Sequence, residues 1–393
     1  MSLAEIHKKA KLVMIPSGFK ADELLYSVLP NDGSGNFTAS GDTDSTRVNK
    51  DGLIEKVTSL VPRLNYDFGN PKNPHLLLES QRTNLLTKSE QPANWTYTEF
   101  GSGSAGTITT GKLDVMGGTN AAQIDFPSDA DNVSINFGQS TSSVASGSVA
   151  VSVYIKLVES GSKILQFRCS TGVQTNVTVN TTDFVRYEVT GTRNSNESFG
   201  IKLRPSASTS SGGFSIIICQ PQEETGTFAT SYIPTTGSEA TRSQDTCTGG
   251  GSSSIFNDSE GTLFLEISRP INDSTTRSIS ISDGSSSDRV IIQYISGFIL
   301  GIVASGTTTV ATLLFSTTST SLNKIALRYK KNDFAMYVNG TQAGTDTNGN
   351  APVGLSSFDF DDGTGSQKYE GQCAQAMYFD TALTNAELTT LTT

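Results

Sequence analysis

The stretch "VAVSVYIKLVE" sets Val149, Val151, Val153, Ile155 and Leu157 at every second position. Side chains two apart share one face of a strand, whereas a helix would spread them around its axis. "KILQFRCS", "TTDFVRYEVTGT" and "GFSIIICQPQE" behave in the same way. Short alternating runs divided by turns need a second sheet to cover each apolar face. They predict an antiparallel β-sandwich of jelly-roll type over residues 91–245.

A second set of strands follows. "GTLFLEISRP", "TRSISISDG", "DRVIIQYISG", "GFILGIVASG", "TTVATLLFS" and "NKIALRYKKNDFAMYVNG" predict another sandwich over residues 256–393. The last of them reads as a hairpin about Lys331, Asn332 and Asp333, and Asn339-Gly340 is a two-residue turn signal. "TALTNAELTTL" reads as a short helix with Thr384 or Asn385 as N-cap. Between the two sandwiches, residues 246–255 carry three glycines and three serines in a row, the composition of a flexible linker.

Residues 1–90 pattern differently. "LAEIHKKAKLVMI" places Leu3, Ile6, Ala10 and Val13 at helical spacing before Pro16 and Gly18 stop it. An ordinary packed helix and a docking element for a larger assembly fit this equally. Residues 31–60 are dense in Gly, Asp, Asn and Ser and predict turns with short strands. Pro62, Pro71 and Pro74 forbid a regular helix from Val61 to Leu86, which predicts an extended segment across a domain surface. The expected fold class is therefore mainly β: two antiparallel sandwiches after a short N-terminal helical and extended docking segment.

Charge and cysteine usage exclude several functions. The formal net charge is -10, which argues against nucleic acid, since phosphate binding needs clustered Lys and Arg. With only two His and no closely paired cysteines among Cys169, Cys219, Cys247 and Cys373, a structural zinc site is not expected. Free thiols are expected, with Cys169–Cys219 as the pairing to test. No run approaches the roughly 18 apolar residues of a membrane span, and the first twenty residues lack the apolar region of a signal peptide. Asn-x-Ser/Thr sequons at Asn94, Asn176 and Asn339 are what chance supplies in such a composition.

One stretch marks the change from the first pattern to the second: "TSYIPTTGSEATRSQD", Thr230 to Asp245. Tyr232 and Ile233 suit packing on the sandwich just completed, and Pro234 blocks further strand pairing. Arg242 invites a carboxylate such as Asp245 or Glu224. The stretch reads as the closing strand and exit latch of the first sandwich, or as a loop with one buried aromatic.

Several phrases carry a resemblance. "NKIALRYKKNDFAMYVNGTQAG" and "YEGQCAQAMYFDTALTNAELTTL" resemble the concanavalin A-like/laminin-G superfamily over residues 252–393. "STRVNKDGLIEKV", "PRLNYDF", "LLLESQRTNLLTKSE" and "TSYIPTTGSEATRSQD" resemble phrases that recur in this order in tailed-bacteriophage virion proteins such as fibres. The resemblance implies a virion structural protein on the phage particle surface. It would dock to other virion proteins through residues 1–90, form a homo-oligomer (a homotrimer, as fibres commonly are), and present its distal sandwich to a host-surface glycan. A head fibre or capsid decoration protein without a ligand is the alternative, and a polysaccharide depolymerase a further one.

The chemistry available is sparse. His7 and His75 have no Ser or Cys partner motif, and no nucleotide fingerprint stands in strand–helix context. Glu223-Glu224 and Asp361-Asp362 are the adjacent carboxylates that glycan cleavage would ask for, but neighbours on a strand face opposite ways. An enzyme is therefore not expected. Asp359, Asp361 and Asp362 in "FDFDDGTGS" offer oxygen ligands for calcium, as the laminin-G resemblance implies, or else an ordinary turn. Trp95 is a candidate sugar platform as well as a core residue, and Asp283 and Asp288 in "ISDGSSSD" are candidate ligand-binding residues. Tyr329 and Tyr337 are expected in the core.

Overall fold

A computed structural model describes residues 1–16, 25, 27–41, 45–68, 72–99, 106–127, 133–137, 146–168, 174–193, 202–205 and 213–393. The protein is mainly β and its sheets are antiparallel. Among the described residues the α-helices are the short Leu3–His7 and Asn385–Thr392.

The alternation in Gly147–Leu157 does what its period demands. This strand lies in a five-stranded sheet ordered Val185–Arg193, Gly147–Leu157, Phe214–Thr225, Ala121–Phe126 and Thr107–Lys112. Val149, Val151, Val153 and Ile155 join Ile216 and Ile218 on its inner face. They share one core with Leu165 and Phe167 of Lys163–Arg168 and with Ile135 of Val133–Asn136. Burying each such side chain contributes about 1.5–3 kcal/mol relative to exposure.

In the second sandwich a five-stranded sheet, ordered Thr308–Ser316, Phe298–Ser305, Arg289–Ile295, Arg277–Ser282 and Ser357–Asp359, faces an eight-stranded one. Leu263, Leu265, Ile325 and Leu327 of the larger sheet meet Ile279, Ile281, Ile292 and Val303 of the smaller. Tyr329 and Tyr337 are buried, as expected. Asn332, Asn339 and Gly340 all take positive φ, so the expected turns join Asn323–Lys330, Phe334–Val338 and Thr341–Asp346. Thr384 is the N-cap of the last helix, with Glu387 completing a capping box.

Three strands from the first ninety residues are woven into the larger sheet. Leu12–Met14 and His75–Leu78 both pair with Gly371–Phe379, and Leu64–Asn65 pairs with His75–Leu78. The described strands of the proline-rich stretch, Leu64–Asn65 and His75–Leu78, are hydrogen-bonded within a sheet rather than laid over a surface. The helical spacing from Leu3 to Val13 is realised only through His7. Beyond it the Lys11 amide donates to the Tyr378 carbonyl and Val13 pairs with Leu29, so strand partners win over local periodicity.

The Gly/Ser stretch differs most from expectation. Thr246–Thr248 is a strand paired with Thr38–Ser40, and Gly250 exchanges backbone hydrogen bonds with Phe358. A Cβ on Gly250 would collide with the Phe37 ring. Here glycine permits close packing, not flexibility. Cys219, Cys247 and Cys373 are buried free thiols, and Cys169 lies outside the described residues.

Candidate functional site

The four phrases beginning at Ser45, Pro62, Leu76 and Thr230 meet at one place, the junction of the two sandwiches. Arg63 and Arg242 are buried there. Arg63 Nη1 donates to Glu79 Oε2 at 2.7 Å and to Ser231 Oγ at 2.8 Å, and Arg63 Nη2 pairs with Asp245. Arg242 Nη1 donates to the same Glu79 Oε2 at 2.7 Å, and its Nη2 to the Ser80 carbonyl at 2.5 Å. Glu79 also accepts from the Ser231 amide at 2.8 Å, and Asp245 accepts from the Glu79 amide at 2.8 Å. Two buried cations meet two carboxylates, which makes burial of the charges tolerable, although Nε of both Arg63 and Arg242 is buried without a hydrogen-bond partner. Burial pushes the Glu79 carboxyl up, but the Arg242 and Arg63 guanidiniums overcome it and hold the group well below the usual carboxylate range.

The register of the neighbouring strands explains these partners. Ala240–Arg242 pairs with Arg82–Asn84, which brings residues 79–82 alongside 242–245. Arg242 therefore pairs with Glu79, where the sequence suggested Asp245 or Glu224. Asp245 is taken by Arg63, and Glu224 accepts from the Thr230 amide and hydroxyl, both at 2.7 Å. Tyr232 is buried with its hydroxyl 2.7 Å from Ser89 Oγ.

A cleft of about 310 Å³ opens beside this network. Thr46, Glu79, Thr230, Ser231 and Tyr232 line its inner end. Arg47, Asn65, Tyr66, Asp67, Phe68, Tyr154 and Arg186 also line it, together with Gln372 of the second sandwich. Tyr66 and Phe68 are half-buried and Asp67 is exposed. The Phe68 and Tyr154 rings lie 4.9 Å apart. Burial pushes the Tyr154 phenol up to about 12, so it stays a neutral hydroxyl. Arg186 Nη2 donates to Ser152 Oγ at 2.8 Å and to the Thr230 carbonyl at 2.5 Å, while Nη1 pairs with Glu188 at 3.0 Å. A second cleft of about 310 Å³ adjoins it and shares Leu77, Glu79, Ala229 and Gln372. A partly apolar hollow with a few fixed polar groups is suited to a small ligand unit.

The residues singled out from sequence lie elsewhere. Trp95 is in the core of the first sandwich, 5.0 Å from the Phe137 ring, and its Nε1 donates to the Lys88 carbonyl at 2.8 Å. Its faces are thus committed to packing rather than to a ligand. Asp283 accepts from the Ser285 amide at 2.8 Å, and Asp288 accepts from the Gly306 amide at 3.2 Å and the Val353 amide at 2.9 Å. Both aspartates brace loops.

The proposed calcium ligands diverge in the same way. Asp359 accepts from the Gly249 amide, Asp361 from the Gly363 amide, and Asp362 from the Thr364 and Ser366 amides. Among the described residues no group of three or more His, Cys, Asp and Glu is placed to hold a metal ion. Asp359, Asp361 and Asp362 are turn carboxylates that accept from backbone amides. Glu223 and Glu224 likewise separate, the first toward Arg193 and the second toward Thr230. No helix among the described residues is long and apolar enough to cross a membrane.

No protein-family model matches the chain, and no curated protein matches it. Among solved structures it is similar to the CBM40 of the Ruminococcus gnavus IT-sialidase, at 15% identity over 37% of this chain and 94% of that one, with a TM-score of 0.32. It is similar to the leech intramolecular trans-sialidase, at 14% identity over 35% of this chain and 23% of that one, TM-score 0.30. It is also similar to the binding domain of botulinum neurotoxin DC in complex with SialylT, at 11% identity over 37% of this chain and 38% of that one, TM-score 0.30. Their likeness to this chain is too slight to assign it a ligand.

Proposed function

We propose that the chain is a structural protein of a tailed-phage particle, a fibre that docks to other virion proteins and holds a host-surface glycan. The observation that carries the glycan reading is the junction cleft, where the partly exposed Tyr66 and Phe68 stand beside Asn65, Asp67 and Gln372. Aromatic faces pack on the C–H faces of sugars, and planar polar side chains bond their hydroxyls. The virion reading is supported by the four ordered phrases. The fibre is a homotrimer, and its docking face is the outer surface of residues 1–90, three strands of which are bound into the second sandwich. The reading is tested by binding fluorescently labelled full-length protein to host cells. Saturable binding, competed by unlabelled protein and weakened about tenfold or more by Phe68→Ala (about 1.4 kcal/mol), is expected. Absence of binding by folded oligomer sinks it.

A second reading, a head fibre or decoration protein without a ligand, is favoured by a different observation. Four charged residues of the recurring phrases, Arg63, Glu79, Arg242 and Asp245, bind one another inside the junction. On that reading the wild-type chain binds the particle and nothing on the host.

A further inference from the structure

We infer that the junction cleft takes an uncharged, hydroxyl-rich sugar unit and discriminates against acidic sugars. This rests on the glycan reading above. An acidic sugar needs a cation with free donors facing it, ideally a guanidinium that can meet the carboxylate with two hydrogen bonds. Each of the two guanidiniums that line the cleft is already paired with a carboxylate of this chain. Arg47 Nε donates to Glu55 Oε1 at 2.7 Å and its Nη1 to the Pro62 carbonyl. Arg186 is held by Glu188, Ser152 Oγ and the Thr230 carbonyl. Behind them the buried charges cancel, Arg63 and Arg242 against Glu79 and Asp245.

Asp67 alone breaks the balance. It lines the cleft, is exposed, and has no ion-pair partner among the described residues. Counted with their ion-pair partners, Arg47 with Glu55, Arg186 with Glu188, and Arg63 and Arg242 with Glu79 and Asp245, the charges about the cleft leave Asp67 as an unbalanced negative one, in a chain whose formal charge is already -10. A carboxylate bound there meets a like charge without a compensating cation, while a neutral sugar offers hydroxyl donors that Asp67 accepts. The Asn65 and Gln372 side chains supply further polar contacts, and Tyr66 and Phe68 supply the apolar face.

The test uses the full-length chain on immobilised neutral hexose- and N-acetylhexosamine-terminated oligosaccharides and on their sialylated and uronate-bearing counterparts. Neutral glycans should bind at least about tenfold tighter than their acidic counterparts, with the gap narrowing as salt screens the repulsion. Asp67→Lys should close or reverse the gap, and as an exposed site it leaves the fold intact. Phe68→Ala should weaken binding of every glycan alike.

Acidic glycans binding as well as neutral ones, in a Phe68-dependent way, would overturn the inference and leave the glycan reading standing. Glycan binding indifferent to both substitutions would also overturn it, by placing the site elsewhere. If no glycan in the panel binds and host cells do not bind either, inference and reading fall together.

Discussion

At the scale of single residues, Glu79 has the largest assignable role. Its Oε2 is the acceptor shared by Arg63 and Arg242. Removing one partner of a buried ion pair typically costs about 3–5 kcal/mol, because the charge left behind stays desolvated. Glu79→Gln should therefore lose stability of that order in urea unfolding. The pH dependence has a definite sign. The Glu79 carboxyl titrates below the usual range, so its stabilisation is complete above the unfolded-state value of about 4.3. It fades as pH falls from there through the depressed folded value. The difference in Tm between wild type and Glu79→Gln should be widest near neutral pH and narrow below about pH 4. A gap that widens on acidification would remove Glu79 from this role. None of this pairing is legible in the sequence, since Arg63 and Asp245 stand 182 positions apart and Arg242 and Glu79 stand 163 apart.

At the scale of elements, the strands and turns were largely legible, because period-2 alternation, Asn-Gly turns and capping boxes are local signals. Val149, Val151 and Val153 face the core that their spacing predicts, and Thr384 caps the helix that its residue type predicts. The failures have one cause. At Gly249–Gly251 and at Val13, a distant partner decides the local structure. Gly371 shows the same dependence. It has φ +143°, and a Cβ there would strike the Ser268 carbonyl. Gly371→Ala should cost about 1–3 kcal/mol by overpacking alone, with added backbone strain. A thermal melt indistinguishable from wild type would contradict this packing of Gly371–Phe379 against Glu260–Ser268.

At the scale of the whole molecule, the second sandwich depends on residues far upstream of it. A fragment of residues 250–393 loses the strands Leu12–Met14, Leu64–Asn65 and His75–Leu78. It leaves Gly371–Phe379 with an unpaired edge. Long open edges recruit other chains, so the fragment should aggregate in size-exclusion chromatography while the full chain elutes as a discrete species. A soluble, folded fragment would show that these strands are dispensable. The single Trp offers a second check, since Trp95 reports on the first sandwich alone. With the junction intact, its fluorescence and the far-UV signal of the whole chain should unfold together in urea. In Glu79→Gln the two transitions should separate. Coincident transitions in the variant would mean that other contacts couple the sandwiches.

The sequence alone determined that this chain is mainly β, where most of its strands and turns fall, and which faces are apolar, because each of these follows from the spacing of near neighbours. It also identified the four phrases that meet at the junction, though not why they meet. Only the tertiary structure decided that Asp359, Asp361 and Asp362 are turn carboxylates, that Trp95 is core, and that Asn65 to Phe68 line a cleft with Tyr154, Arg186 and Gln372. Cleft walls and charge partners are set by strand register between segments more than a hundred residues apart. Register depends on which edges remain free once the two cores have closed.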